Sequence, residues 1–307
     1  MKKTFITGIV MIFLGTLLFG IGYAKGGNKN VGWHNGGFEV DNSKVVDKHF
    51  GMVKQLKLAT TEDVTVKKYN GSDVKVHYQD SAKVKYDKTS KVLAIDATMM
   101  GAHSFGFMWS DDDEDTPITI YIPKKNDLKV IDSSTSETLT VQNLNLNRIS
   151  VDHNDGLTLD NVKLQRGLKV DSDSDIDFSR VEAPFISVDS SDGDMQIRDS
   201  KFDKSASSLS TSDGDVDISD SRFVKLSAET SDGDITFDNL DIKKSLTGDT
   251  SDGDVDVTVK DKKNLSISTD VTDGDSSIFG SSRSTYKNGK ANISYKFGTT
   301  DGDVTVR

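Results

Sequence analysis

The acidic residues of this chain recur as one tripeptide, Asp-Gly-Asp, about every 20 residues in its C-terminal half. Repeated carboxylates are candidate ligands for Ca²⁺, which takes six to eight oxygens from Asp side chains and backbone carbonyls. The tripeptides lie at Asp192–Asp194, Asp213–Asp215, Asp232–Asp234, Asp252–Asp254, Asp273–Asp275 and Asp301–Asp303. The candidate calcium ligands are Asp192, Asp194, Asp213, Asp215, Asp232, Asp234, Asp252 and Asp254.

A structural explanation of the same tripeptide needs no ion. Gly can take positive φ at a sharp corner, and Asp side chains can cap local backbone amides as Asx-turns. Carboxylates stacked about 4.8 Å apart repel each other by roughly 1 kcal/mol per pair in a water-like dielectric. The spacing matches neither an EF-hand loop nor the nonapeptide of calcium β-rolls. The sequence therefore favours turns, with Gly233 at positive φ, and leaves a calcium ladder open.

Catalytic chemistry has little support in this sequence. The five His residues are scattered, at positions 34, 49, 77, 103 and 153, without metal-ligand spacing. Neither a Gly-x-Ser-x-Gly elbow nor a phosphate-binding glycine loop occurs. Cysteine is absent, which removes disulfides, thiolate zinc sites and Cys nucleophiles. The net charge of −11 argues against nucleic acid as a partner. We therefore expect a protein that is not an enzyme and binds no cofactor.

The tripeptides are set between short apolar alternations that indicate strands. Apolar residues follow each central Gly by two and four positions, as Ile235 and Phe237 follow Gly233, and a second alternation precedes the turn, as with Leu226 and Ala228. A third apolar position, Phe202, Phe223 and Leu240, is expected to fill a corner. This pattern predicts an all-β fold, a β-solenoid of about 20-residue coils with two short strands per coil. A meander of Asp-Gly hairpins is the alternative.

The N-terminus predicts a membrane anchor. Lys2 and Lys3 precede an apolar run from Phe5 to Tyr23, about the length of a spanning helix. The lysines place the N-terminus inside and the remainder outside the cytoplasm. A cleaved signal peptide is the alternative, since Gly22-Tyr23-Ala24 has small residues at the positions that a signal peptidase requires.

Four segments follow from these patterns. Residues 1–24 are the transmembrane anchor or uncleaved signal, and 25–44 a flexible linker rich in Gly and Asn. Residues 45–127 form a β-rich cap or the first coils, and 128–307 the repeat solenoid. One loop within the cap combines Phe105, Phe107, Met108 and Trp109 with the acidic run Asp111–Asp115. This loop either folds onto the cap or contacts a partner protein.

The arrangement resembles a bacterial family named "putative adhesin", a β-strand-repeat domain of unknown function. The resemblance is carried by the N-terminal anchor, the segment Ile118–Pro123 and the repeated Ser-Asp-Gly-Asp-Val/Ile units, and covers about residues 50–307. Many members are encoded beside envelope stress-response systems of Gram-positive bacteria, so the resemblance implies a similar setting. It supplies no catalytic residues.

Two functions remain open at the level of the sequence. The first is a single-pass, membrane-anchored extracytoplasmic scaffold of the cell envelope that contacts an envelope protein, in an envelope stress response. The second is a surface adhesin that binds an external ligand or carbohydrate. The short linker, which keeps the solenoid near the membrane, favours the first. The partner, the oligomeric state and the solenoid's handedness do not follow from the sequence.

Overall fold

The computed structural model describes residues 2–24, 31–34, 37–40, 44–97, 117–135, 137–152 and 156–307. The chain divides into two compact units, one of Met1–Lys44 with Met99–Asp115, the other of Val45–Thr98 with Thr116–Arg307. The second unit holds the repeats. The predicted contact residues Phe105, Phe107, Met108 and Trp109 lie outside the described residues.

The first unit contains a helix and a hairpin. Helix α1 spans Lys2–Ala24, and its large apolar side chains from Val10 to Ile21 are exposed. Within the described part of the chain, no helix is long and apolar enough to cross a lipid bilayer. The predicted anchor therefore stays a prediction. Strands β1 (Val31–His34) and β2 (Gly37–Val40) pair antiparallel, so the expected linker contains regular structure that its Gly and Asn content concealed.

The second unit begins with seven strands between residues 45 and 123. They are β3 (Val45–Phe50), β4 (Gln55–Thr60), β5 (Val64–Tyr69), β6 (Val74–Gln79), β7 (Lys83–Asp87), β8 (Val92–Ala97) and β9 (Ile118–Pro123).

The next strands follow the repeat. They are β10 (Val130–Thr135), β11 (Thr138–Gln142), β12 (Asn145–Leu146), β13 (Arg148–Val151), β14 (Gly156–Asp160), β15 (Lys163–Leu164), β16 (Leu168–Ser172), β17 (Ile176–Ser179), β18 (Ile186–Ser190) and β19 (Met195–Arg198). The chain continues through β20 (Lys201–Ser210), β21 (Val216–Ser219), β22 (Arg222–Glu229), β23 (Ile235–Asp238), β24 (Asp241–Asp249) and β25 (Val255–Thr258).

Six strands close the unit. They are β26 (Leu265–Asp273), β27 (Ser276–Ile278), β28 (Ser281–Ser282), β29 (Thr285–Lys287), β30 (Ile293–Asp301) and β31 (Val304–Val306).

Successive repeats pair in parallel, which confirms the solenoid and excludes the hairpin meander. β17, β19, β21, β23 and β25 pair one on the next, with Val216 opposite Ile235 and Ile235 opposite Val255. Among the described residues they belong to a sheet of fourteen strands, here called the long sheet, while β16, β18, β20, β22 and β24 belong to a second sheet of eight. Side chains alternate inward and outward, so the columns predicted to be apolar fill one continuous core between the sheets.

Each coil also has a short third face between the two sheets. Phe202 pairs with Phe223, and Phe223 with Ile242, with the two Phe ring centroids 5.2 Å apart. The assignment of Leu240 to this column was wrong. Leu240 is buried two positions earlier, next to the corner residue Asn239, because the pairing register and not the order of apolar residues decides which side chains stack.

In the coils of β14, β17, β19, β21 and β23, the corner that follows the long-sheet strand carries a residue in the left-handed conformation. Asn161, Arg180, Asp199, Asp220 and Asn239 have φ between 47° and 57°. Asn and Asp tolerate this conformation better than other residues with a side chain. The sequence pattern predicted positive φ at the Gly of the other corner and gave no sign of this column.

The order of stacking is exchanged at both ends of the solenoid. At the N-terminal end, the first coil, β4 with β5, pairs with β10 and β11 on one side and with β8 and β9 on the other. At the C-terminal end, the last coil, β30 with β31, lies between β24 with β25 and β26 with β27. Antiparallel strands then cover the ends: β3, β6 and β7 at one, β28 and β29 at the other. The expected boundary between cap and solenoid near residue 127 therefore does not separate the coils.

Candidate functional site: the acidic ridge and the basic patch

The acidic ridge is the row of Asp-Gly-Asp corners that runs along the stack, with its degenerate copy Asp173-Ser174-Asp175. Each corner joins a second-sheet strand to a long-sheet strand, as Asp213-Gly214-Asp215 joins β20 to β21. The Asp residues of these turns are exposed, while Gly193, Gly214, Gly233 and Gly253 are buried. The ridge is thus a stack of turns that present carboxylates to solvent and backbone to one another.

Glycine is required at these corners because the backbones of adjacent coils approach closely. The prediction that Gly233 takes positive φ was wrong. Gly233 does not lie at positive φ. A Cβ on Gly233 would overlap the carbonyl oxygen of Gly214 in the preceding coil, and one on Gly253 would overlap that of Gly233. The feature that recurs from coil to coil is therefore a backbone contact that only a residue without a Cβ permits.

The second Asp of each turn hydrogen-bonds to the next coil, not to its own turn as an Asx-turn would. The backbone N–H of Asp215 donates to Asp194 Oδ1 at 3.0 Å, and that of Asp234 donates to Asp215 Oδ1 at 2.8 Å. The ladder follows spatial order, since Asp303 donates to Asp254 and Asp275 donates to Asp303. One oxygen of each acceptor carboxylate is therefore committed to holding adjacent coils together.

A column of buried hydroxyls completes this network. Thr230 Oγ1 donates to the carbonyl oxygen of Gly214 at 3.0 Å, and Thr250 Oγ1 to that of Gly233 at 2.9 Å. Thr299 Oγ1 makes the same bond to Gly253 at 2.8 Å. These contacts explain the Thr that opens the Thr-Ser-Asp-Gly-Asp turns, a regularity of the sequence that carried no prediction.

The first Asp of each turn carries the uncompensated charge of the ridge. Although Asp213 is exposed, loss of hydration by neighbouring atoms, followed by the charges of Asp192 and Asp232, raises the pKa of its carboxyl above the ordinary value. The turns hold no Lys or Arg. Mutual repulsion along this column is therefore the electrostatic property that a ligand or partner would relieve.

No group of three His, Asp or Glu side chains converges to hold a metal ion among the residues that the structure describes. In the calcium hypothesis, the first Asp of each turn would supply the free oxygens, since the second Asp already accepts a backbone N–H. The calcium ladder stays an untested prediction, as does the absence of a cofactor.

A basic patch lies on the short third face and on the corner that leads from it to the second sheet. It consists of six exposed residues, Lys201, Lys204, Arg222, Lys225, Lys243 and Lys244. The side chain of Asp203, only 14% exposed, lies among them, with Lys243 Nζ at 3.3 Å and Lys201 Nζ at 3.6 Å. Burial acts to raise the pKa of Asp203, but the hydrogen bond from Lys243 and the surrounding lysine charges hold it below its ordinary value.

The patch keeps an excess of positive charge. Arg222 forms an ion pair with Asp241 at 2.6 Å, and Asp203 forms ion pairs with Lys201 and Lys243. Lys225 and Lys244 form no ion pair with any described residue. The net charge of −11 gives no sign of this patch, because composition averages over corners that the coil separates in space.

Two histidines pair with carboxylates on the N-terminal cap. His77 Nδ1 lies 2.9 Å from Asp47 Oδ1, and His49 Nδ1 lies 3.0 Å from Asp73 Oδ2, across β3 and β6. The hydrogen bond from His77 is the main reason that the pKa of Asp47 falls below its ordinary value. All four side chains are well exposed, so these pairs do not form an enclosed site. They link the edge strand β3 to its neighbour β6.

The repeat region matches a known protein family. The family model described as "Toastrack DUF4097" matches residues 53–307, most of the chain. The chain belongs to the Toastrack DUF4097 family. The match begins just before β4, so it covers every coil of the Toastrack solenoid, including the coils that are exchanged at its ends. No curated protein matches the chain.

Solved structures are similar to the Toastrack chain at low sequence identity. A "putative adhesin" from Bacteroides fragilis is 12% identical, with 86% of this chain and 97% of that chain covered and a TM-score of 0.37. A "putative lipid binding protein" from Parabacteroides distasonis is 13% identical, with coverages of 87% and 97% and a TM-score of 0.49. A "putative adhesin" from the same organism is 13% identical, with coverages of 87% and 98% and a TM-score of 0.40.

Proposed function

We propose that this Toastrack chain is a non-enzymatic, extracytoplasmic scaffold of the bacterial cell envelope that works by binding proteins. The observation that carries the proposal is the continuous polar face of the long sheet. Asp217, Thr236 and Asp256 lie in register on three adjacent strands and point away from the core. Stacked repeats of this kind offer extended binding surfaces, whereas an enzyme site would interrupt the repeat.

The proposed location rests on the N-terminal segment of the sequence. Lys2 and Lys3 precede an uncharged apolar run, which favours a cytoplasmic N-terminus and an exported solenoid. The exposed apolar side chains of α1 support an apolar environment for this segment, since large exposed apolar surfaces mark contacts. The link to envelope stress rests on the family resemblance alone.

Protease treatment of wall-stripped, intact cells tests the location. We expect the solenoid to be degraded without lysis while a cytoplasmic control protein survives. A variant with Lys2→Glu and Lys3→Glu should lose part of its export, because the positive-inside signal is removed. A full-length wild-type chain that survives until lysis would contradict the proposed location.

Contact with a partner protein is tested at the four candidate contact residues Phe105, Phe107, Met108 and Trp109. The double variant Phe107→Ser/Trp109→Ser should lose photo-cross-linking to its envelope partner and keep the wild-type melting temperature, with Phe107→Tyr/Trp109→Phe as the matched control. A large fall in melting temperature would show instead that the loop is part of the folded cap. Binding of the wild-type chain to a glycan array, without cross-linking in cells, would replace the scaffold by the adhesin.

A further inference from the structure

The solenoid separates its charges onto two corners at opposite ends of the second-sheet strands. The acidic ridge lies where the second sheet passes into the long sheet, as at Asp232-Gly233-Asp234 between β22 and β23. The basic patch lies at the opposite end of the second-sheet strands, where Phe223 and Lys225 flank a register shift in β22. Every coil of this region therefore presents a carboxylate at one end of its second-sheet strand and cationic side chains at the other.

Neither surface is neutralised by its own surroundings. The six cations of the basic patch have Asp203 and Asp241 as their carboxylate partners, so four positive charges remain in excess. On the acidic ridge, the turns from Asp192 to Asp254 contain eight Asp and no cation. Each surface is thus suited to a partner of opposite charge.

The two surfaces also share one spacing and one direction. Coils stack at about 4.8 Å, the strand spacing of a sheet, so both the acidic turns and the cations of β20, β22 and β24 advance by that step along the stack. A partner that carries carboxylates at this step would align several charge pairs at once. The acidic ridge itself meets that description, and each copy of the chain carries it.

We propose that the basic patch of one copy binds the acidic ridge of a second copy, with the two solenoids side by side. The contact is heterologous, because it joins two different surfaces, so each copy keeps one free patch and one free ridge and further copies can add. This goes beyond the proposed function, since lateral assembly does not depend on the partner or the compartment. In an anchored scaffold it would produce arrays of parallel solenoids.

Cysteine cross-linking tests the contact directly, because the chain contains no Cys. Full-length Asp232→Cys and Lys225→Cys variants are mixed in non-ionic detergent at 50 mM NaCl and oxidised mildly. We expect disulfide-linked pairs in the mixture, at least about fivefold above either variant alone. The matched control replaces Asp232→Cys by Thr236→Cys on the outer face of the long sheet and should give only the background level.

Salt and charge reversal separate this contact from association through α1. Raising NaCl to 500 mM shortens the Debye length to about 4 Å, and the linked fraction should fall several-fold, whereas an apolar contact would not weaken. Adding Lys243→Glu and Lys244→Glu to the Lys225→Cys copy should remove the cross-link. Adding Asp213→Lys and Asp252→Lys to the Asp232→Cys copy should restore it against that reversed partner.

Three results would overturn the proposal. The first is equal cross-linking in the mixture and in the single variants, which would indicate an isologous contact. The second is cross-linking that does not respond to salt or to charge reversal. The third is no cross-link in the mixture while wild type, but not Lys225→Glu/Lys244→Glu, sediments with vesicles of one-third phosphatidylglycerol, which would assign the basic patch to an anionic lipid surface.

Discussion

The middle of the solenoid and its two ends use the same coil but different connections. From β16 to β25 each coil stacks on the coil that precedes it in the chain. At both ends the terminal coil of the chain is the second coil of the stack, and its neighbour in sequence occupies the end. The repeat thus specifies how two coils pair, whereas the order in which the coils stack is not the order in which they follow in the chain.

The exchange has a physical consequence for the ends. A solenoid that ended in its terminal coil would expose a full set of unpaired backbone groups, which invites edge-to-edge association. Here β31 is paired on both sides, by β25 and β27, and short antiparallel strands follow the outermost coil. The chain therefore secures its last coil between two others and leaves only short strands at the edge.

Deletion of residues 293–307 is the strongest test of the exchanged order. It removes the inserted coil, which separates the coil of β24 and β25 from the coil of β26 and β27. The deletion also removes four buried side chains, those of Tyr295, Phe297, Val304 and Val306. At about 1.5–3 kcal/mol for each of these four side chains, the C-terminal coils should lose roughly 6–12 kcal/mol. Hydrogen exchange should show lost protection throughout β26 and β27, with Thr305→Ala as the silent control. Retained protection there would contradict the inserted position of the last coil.

Core truncation compares a middle coil with the inserted end coil. Phe237→Ala should lower the free energy of unfolding by roughly 3–5 kcal/mol, and Phe297→Ala by a similar amount, because both rings are buried. Their centroids lie 6.1 Å apart although the residues are 60 positions apart, so the double variant should be non-additive. Thr236→Ala should cost well under 1 kcal/mol. Denaturant unfolding measures all four, and strict additivity would place the two rings in separate environments.

Glycine substitution compares a ridge corner with the end hairpin. Gly233→Ala should destabilise by about 1–3 kcal/mol or more, because its Cβ would overlap the carbonyl of Gly214. Gly280→Ala, at φ +71° with open space around it, should cost about 1 kcal/mol from backbone conformation alone. Thermal unfolding distinguishes them, and the reverse order of effects would show that conformation, not coil-to-coil contact, selects glycine on the ridge.

Removal of a ridge charge should give the smallest effect. Because the pKa of Asp213 is raised in the folded protein, its ionised form is disfavoured, so the penalty appears as pH rises through the raised pKa and vanishes below the ordinary value of 3.8. Asp213→Asn should therefore be slightly more stable than wild type at pH 7 and equal to it near pH 3. Thermal melts at the two pH values measure the difference, and an advantage that persists near pH 3 would exclude relief of repulsion as its cause.

Much of this architecture could be read from the chain, because period-two alternation and a constant repeat length act locally. The inward columns at Met195 and Ile197 or Val255 and Val257 are where the alternation predicts them. The pairing of Ile242 with Phe223 was missed because Leu240, the first apolar residue after β23, lies at the position that Ser221 holds after β21, two residues before the column. The basic patch was missed because Lys225 and Lys243 are 18 positions apart in a chain whose overall charge is negative.

The sequence by itself determined the coil: its strands, its inward residues, the place of its turns and its membership of a repeat family. Each of these depends on contacts between a residue and its near neighbours, or on a step that every coil repeats. Tertiary structure alone decided the stacking order at the ends, the reason for glycine at the ridge and the separation of acidic from basic corners. Those features depend on which coil stacks on which, and because the repeats are so similar to one another, their sequences do not specify the neighbour of each coil.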